Sequence, residues 1–576
     1  MKIIIKLIFV AFCSLPVITN ASDNDVSDYI EVFLSNAPDN LARQINGIAI
    51  ASQTILPAVY EERGFYPVWQ NELSILQYMD ILKDIEEDGL DVNDYHFREL
   101  TSIRDRLWQL PDDRPDLRAE YDILLTDSLL RLGYHLVAGK VDPVQLDSQW
   151  NIDSNIGKLN VIFEMTEAIE RGLMDTLIDY LRPEFPVYTK LKSALKEYTL
   201  IAKNGGWGRL PMGRTIKVGD PDARVPLIRQ RLAVSHDFQG NVTDDYRYDD
   251  DLADAVRNFQ YRHNLTPNAY ITNETIGTMN IPVEDKIEKI RINMERARWV
   301  MHDLPKRFIM VDIAGYSVTF YDNGKNIWRT RAQVGKTFRK TPILRSEITY
   351  LVLNPTWTVP LTILKEDILP KLKQDPSYLE RKDLKVIDYQ GNEIDPSTID
   401  WSLYPEQGFP YLLRQQPGLR SALGRVKFMF PNNYSVYMHD TPYQTLFSDT
   451  ERAFSSGCIR IEKPYELTEI LLDDHVNWNS ERISEEIDSL QTINVSLPKP
   501  ITVLLFYWTA TVDDEGHILF RPDIYQRDPA VSRGLSNGFQ FTSNNIKRIM
   551  DDTGLSQRNK QIKTSQLDRF PLHETD

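Results

Sequence analysis

Apolar positions between residues 27 and 205 recur at three- and four-residue steps, as in "YMDILKDIEEDGL" and "YDILLTDSLLRLGYHLVAG". That spacing lines one face of a helix, so the region predicts a helical domain. Gly89 and Gly139 fit as helix stops. The Gly-rich "NGGWGRLPMG" at 204–213 predicts a boundary. Residues 214–282 predict a small helical bundle. Val225, Ile228 and Leu232 share one helical face, and Leu252, Val256 and Phe259 share another. Asp220 or Asp222, and then Asp249 to Asp251, offer N-caps, and a third helix is expected from Thr272. Residues 283–304 predict a linker helix striped by Ile287, Ile290, Met294 and Ala297.

From residue 307 the period changes to two. "RFIMVDIAGYSVTFYDNGKNIWRTRAQVG" alternates apolar and polar positions, and Asp322-Asn323-Gly324 predicts a hairpin turn. "SEITYLVLNPTWTVP", "YSVYMHD" and "ITVLLFYWTATV" predict further strands. Between them, 362–425 is rich in charge, Pro and Gly, with a helical part near 361–381. It predicts a flap inserted into a β domain spanning 305–525. Residues 529–576 are polar and predict a loose tail. The expected fold class is multidomain α+β.

Composition adds less. The net charge of −17 lacks the basic footprint of a nucleic-acid binder. Lys2 and Lys6, an apolar stretch to Val17, and Thr19-Asn20-Ala21 predict an export signal cleaved after Ala21, with a retained N-terminal anchor as the alternative. No later stretch is apolar enough to cross a bilayer, so the exported chain is expected to be soluble. Two motif fragments carry no function. "VGKT" at 334–337 has Thr330 where a phosphate loop needs glycine, and "GLSNG" at 534–538 lies in the polar tail. There is no His-Glu-x-x-His pattern, and neither metal nor cofactor is expected.

Cleavage would remove Cys13 and leave Cys458 as the one thiol. A leftover thiol in an exported chain reads as an intermolecular bridge, a reactive group or a small buried hydrophobe. Its neighbours in "SSGCIRIE" favour reactivity. Gly457 permits unusual backbone angles, and the Gly457 and Cys458 N–H groups could face one oxyanion. Arg460 would share the Cys458 face of a strand, and a nearby cation favours a thiolate. His439 ends a strand and is the best-placed base, with Tyr437 on the same face by alternation.

"YMHDTPYQTLFSDTERAFSSGCIRI" resembles the signature of the L,D-transpeptidase (YkuD-type) catalytic domain: a His, a short spacer, then Ser-His-Gly-Cys and Asn or Arg. "VGKTFRKTP" and "NPTWTVP" are similar to further stretches of that family. The flap resembles the substrate-capping insertion of its large Gram-negative members. Residues 214–282 are similar to peptidoglycan-binding type 1 domains through "VPLIRQRL" and "AVRNFQYRHNL", with Asn268-Ala269 where Asp-Gly is usual. "LPAVYEERGFYPVW" to "GYHLVAGKVDP" resembles the scaffold domain of the same large enzymes.

The resemblance implies a periplasmic enzyme that forms 3→3 cross-links between diaminopimelate residues. It would work through a Cys458 thioester, release D-Ala and be open to carbapenem acylation. His439 is implied as base, oriented by the Asp440 carbonyl, with Gly457 and Cys458 N–H groups holding the oxyanion. Ser456 stands where many relatives have His, so Tyr437 is implied as a helper. Tyr437, Arg460, Ser456 and Trp357 are the implied substrate contacts, Trp357 reading equally as core. The implied partners are tetrapeptide donors, diaminopimelate acceptors and other wall-synthesis enzymes, with no nucleic acid and no cofactor. An L,D-carboxypeptidase or hydrolase using the same Cys458/His439 site, such as one that detaches wall-linked proteins, and a non-catalytic wall-binding protein are the alternatives.

Overall fold

In this computed structural model the described residues are 23–35, 44–109, 114–147, 150–152, 161–404, 408–539 and 541. The export segment and the chain beyond 541 lie outside them.

The first domain is helical, with one small hairpin of β1 (Gln44–Ile45) and β2 (Ile48–Ala49). Its centre is the helix Pro115–Ala138, almost wholly buried. Proline starts this helix and Gly139, at φ 88°, ends it. A Cβ at Gly139 would lie 2.6 Å from Glu295 Oε1 and Trp299 Nε1. The stop is therefore also where a later helix comes closest. Buried acids on the central helix are satisfied rather than stranded. Asp122 accepts from the Tyr60 hydroxyl at 2.6 Å and from the Val68 and Trp69 N–H groups. Asp127 accepts from Arg131, and His96 and Ser52 lie against it.

The bundle has helices Val225–Val234, Asp250–Arg262 and Asn273–Met279. Asp249 caps the second and Thr272 the third. The first has no side-chain cap; Asp222 instead accepts from the N–H and guanidinium of Arg224. Ala269 sits at φ 61°, the left-handed region that favours glycine. Its N–H and C=O are held by Gln260 and the Tyr248 hydroxyl. The linker helix is Val283–Val300, with Ile290, Met294 and Ala297 fully buried.

The β domain runs through β3 (Arg307–Asp312), β4 (Ser317–Asp322), β5 (Lys325–Gly335) and β6 (Leu344–Leu353). An insertion follows, carrying β7 (Trp357–Thr358), β8 (Leu384–Ile387), β9 (Glu393–Ile394) and β10 (Leu412–Gln415). The domain resumes with β11 (Val426–Met429), β12 (Met438–His439), β13 (Ala453–Ser455) and β14 (Ile459–Ile461). It ends in β15 (Ile493–Phe506) and a separate hairpin of β16 (Ala510–Val512) and β17 (Ile518–Phe520). The main sheet is ordered β13-β5-β14-β12-β11-β6-β15-β3-β4, and β4 also pairs with β5, which closes it. Asn323 and Gly324, both at positive φ, make the β4–β5 turn.

The insertion is a unit of its own. Its strands are ordered β7-β10-β8-β9, and Leu364, Leu369, Leu372, Val386 and Leu413 pack in a separate core. It starts earlier than the composition suggested, since Trp357 already belongs to its sheet. Two other expectations need correction. Residues 434–437 are not strand: the Asn432 carboxamide oxygen accepts from the Tyr434 and Val436 N–H groups and Ser435 sits at φ 56°, so β12 is only Met438–His439. Nor is the chain loose from 528. Asp528–Ser536 is a helix with Val531 and Leu535 buried, tied by Asp528 to Arg296 at 2.7 Å and by the Leu535 carbonyl to Lys140. "GLSNG" closes this helix and has no strand before it. "VGKT" ends β5 and runs into a turn rather than a helix.

Candidate active site

The short strand β12 sets the site. It runs antiparallel to β11, pairing His439 with Lys427, and parallel to β14, pairing His439 with Arg460 and Met438 with Ile459. Just before each strand, Tyr437 lies beside Cys458, and the Ile459 N–H donates to the Tyr437 carbonyl at 3.1 Å. Paired residues on neighbouring strands share a face, and so do alternate residues on one strand. Tyr437, His439, Cys458, Arg460 and Lys427 therefore converge. The Tyr437 and His439 ring centres are 5.6 Å apart, and Lys427 Nζ lies 3.8 Å above the Tyr437 ring.

Cys458 is half-buried. Its sulfur meets the hydroxyl and the N–H of Tyr437, and the Ser435 carbonyl lies 3.9 Å away. Burial pushes the thiol up, while the Tyr437 N–H, Arg460, Lys427 and the Tyr437 hydroxyl act in the opposite sense. Upward wins, so the resting group is a thiol. His439 is buried, and its Nδ1 contacts the Asp440 carbonyl at 2.5 Å. Burial, with the positive charge of Arg460, pushes this imidazole down to about 3. It is neutral at pH 7 and can accept a proton. Asp440 is itself fixed: its carboxylate accepts from the Arg425 and Thr441 N–H groups at 2.8 and 2.7 Å. It packs where a Cβ on Gly424 would come within 2.3 Å.

Gly457 has φ 116°, which only glycine adopts easily. Space is not the reason, since a Cβ there would make ordinary contacts at 3.6 and 3.7 Å. The Gly457 N–H donates to the Ser455 hydroxyl at 3.1 Å, and that hydroxyl donates to the Cys458 carbonyl at 2.6 Å. The Gly457 carbonyl accepts from Thr341 at 2.8 Å. The expected pair of free N–H groups is thus corrected by one, because Ser455 engages Gly457.

Ser456 is exposed, and its hydroxyl accepts from Arg339 at 2.9 Å. Arg339 also pairs with Glu366, at 2.6 Å, and with Asp367, both on the insertion. Ser456 therefore faces the flap. Trp357 is half-buried on β7, and its indole hydrogen-bonds the Tyr437 hydroxyl. Arg460 reaches Gln333 Oε1 at 3.3 Å. Sequence reasoning missed Lys427 and Arg339. A single Lys within the alternation of "RVKFMF" was the available signal for the first. Nothing local marked the second.

Comparison with known proteins matches three stretches of the chain to named domains. Residues 306–477 match the L,D-transpeptidase catalytic domain, 54–195 a scaffold domain and 221–279 a putative peptidoglycan binding domain. A putative L,D-transpeptidase of Haemophilus influenzae is 38% identical over 245 residues, 42% of this chain and 49% of that protein. The matched stretch thus spans about half the length of that relative. Among solved structures, an L,D-transpeptidase from Stackebrandtia nassauensis is 13% identical, covering 51% of this chain and 96% of that one at a TM-score of 0.20. One from Mycobacterium smegmatis is 12% identical, covering 35% and 58% at 0.18.

Proposed function

We propose, for a chain that carries an L,D-transpeptidase catalytic domain beside scaffold and peptidoglycan-binding domains, that it is a periplasmic enzyme cross-linking diaminopimelate residues of peptidoglycan stems. The observation that carries this reading is the placement of the Cys458 sulfur against Tyr437, on one sheet face with a neutral His439 oriented by the Asp440 carbonyl.

In this reading the Cys458 sulfur attacks the carbonyl of diaminopimelate in a tetrapeptide stem while His439 takes the thiol proton. Donation from Nδ1 to Asp440 leaves Nε2 as the acceptor. The oxyanion is stabilised by the Cys458 N–H and the Tyr437 hydroxyl, which Trp357 orients by donating to it. The C–N bond then breaks, the imidazolium returns its proton to the D-Ala amine, and a thioester remains. A side-chain amine from a second stem attacks that thioester and loses a proton to His439. The C–S bond breaks, the sulfur regains its proton, and a 3→3 link is left. Export through residues 1–21 would deliver the chain to its substrate.

Muropeptide profiling of sacculi treated with the purified chain tests this. Cross-linked 3→3 products with wild type, and none with Cys458→Ala, are expected. Tripeptides alone would mean that water resolves the thioester, and an unchanged profile would leave only wall binding. Intact mass after carbapenem treatment should show one adduct, absent in Cys458→Ala.

A further inference from the structure

Lys427 is an unusual cation for this sheet. It is half-buried on β11, directly across from His439, and its ammonium stands over the Tyr437 ring. Among the described residues no carboxylate pairs with it; Cys458 and His439 are the titratable groups on which its charge acts. Arg460 has Gln333 as a partner and Arg339 has Glu366 and Asp367. A desolvated ammonium without a counter-charge is costly unless an anion completes the site.

We propose that Lys427 binds the terminal carboxylate of the residue that leaves when Cys458 is acylated. It would thereby select donor peptides that end one residue past the scissile bond. This rests on the acyl-transfer reading above. The scissile carbonyl must sit at Cys458, and the next carboxyl carbon lies only about 3–4 Å further along a peptide. Lys427 Nζ stands 3.8 Å over the ring of Tyr437, whose hydroxyl meets the same sulfur, so a carboxylate one residue past the scissile carbonyl would face the ammonium on this side of the site. A longer stem would place an amide there, which carries no charge to match. Lys427 is then a specificity residue, and its attraction ends once the leaving residue departs.

Two measurements on the full chain test this. The first compares alkylation of Cys458 by iodoacetate, an anion, with alkylation by neutral iodoacetamide. Both reagents read the same thiolate, so their rate ratio cancels any change in thiol acidity. Lys427→Gln should lower the iodoacetate-to-iodoacetamide ratio roughly fivefold or more, as expected for losing one adjacent charge, while Lys427→Arg should keep it. An unchanged ratio overturns the proposal. An unaltered melting temperature separates this result from misfolding.

The second measurement uses disaccharide-tetrapeptide donors. Lys427→Gln should raise KM about tenfold for the free acid and leave KM unchanged for a donor amidated at its terminal carboxyl. Equal effects on both donors overturn the proposal, as does a loss that follows amidation of the diaminopimelate carboxyl instead. If the wild-type chain turns over neither donor, the acyl-transfer reading has failed. The alkylation ratio still decides whether Lys427 draws anions to Cys458.

Discussion

His439 and Cys458 are both neutral at rest, one pushed down by burial and the other pushed up by it. In the proposed acyl transfer the proton would then pass from thiol to imidazole rather than across a standing ion pair. The base limb should follow the lowered imidazole. Carbapenem acylation rates are expected to stay level from pH 8 to about pH 4, where an ordinary His base would fail near 6.5. Stability shares the cause with a definite sign. Between pH 6.5 and about 3 the unfolded chain binds a proton at His439 that the folded chain refuses, so stability falls as pH drops through that window. His439→Gln should make this acid-side loss shallower in denaturant melts. Tyr437→Phe keeps the ring under Lys427 but removes the proposed oxyanion donor, and should slow acylation about 10²-fold at unchanged melting temperature. Gly457→Ala meets no clash but must hold φ 116°. A cost of about 1–2 kcal/mol in stability is expected, together with loss of acylation as the loop relaxes.

Strands and loops show which parts of the site were legible in the chain. Alternation in "YMH" and "CIR" put Tyr437 with His439 and Cys458 with Arg460, because a period of two survives in strands this short. The β12 start was not legible. Asn432 turns the backbone through side-chain bonds to residues 434 and 436, which outbid the β propensity of "YSVY". The engagement of the Gly457 N–H was equally hidden, since it depends on one Ser455 rotamer. Lys427 lies just past the 362–425 flap, in a stretch with no strand expected, so its partner strand was not visible. At this scale Arg339 is the joint between the flap and the loop before Cys458, holding Ser456 on one side and Glu366 and Asp367 on the other. Arg339→Ala should therefore speed hydrogen exchange across 361–374 while leaving the barrel strands protected. Uniform protection in the variant would show that the insertion's own core suffices to hold it.

Across the whole molecule the linker helix is the spine. Arg298 donates to the Asp88 carbonyl of the scaffold, Glu295 accepts from the Val141 N–H, Arg296 pairs with Asp528, and Lys289 donates to the Arg521 carbonyl. Arg298 and Glu295 pair with no exposure on either side chain. Removing one partner strands the other charge, so Glu295→Ala should cost about 3–5 kcal/mol and lower the melting temperature of scaffold and barrel together. The stripe of this helix was readable from its period, but its cross-domain bonds were not, because they join residues 154 to 232 positions apart. The bundle is fastened to the barrel as well: Arg262 donates to the Ile518 carbonyl at 3.0 Å, and His263 stacks between Phe259 and Phe520. Such fastening makes the molecule a caliper. If the bundle grips the wall, its jaw opening is set by Arg262 and His263, and the thiol can engage only stems that hang at that fixed reach from the gripped strand.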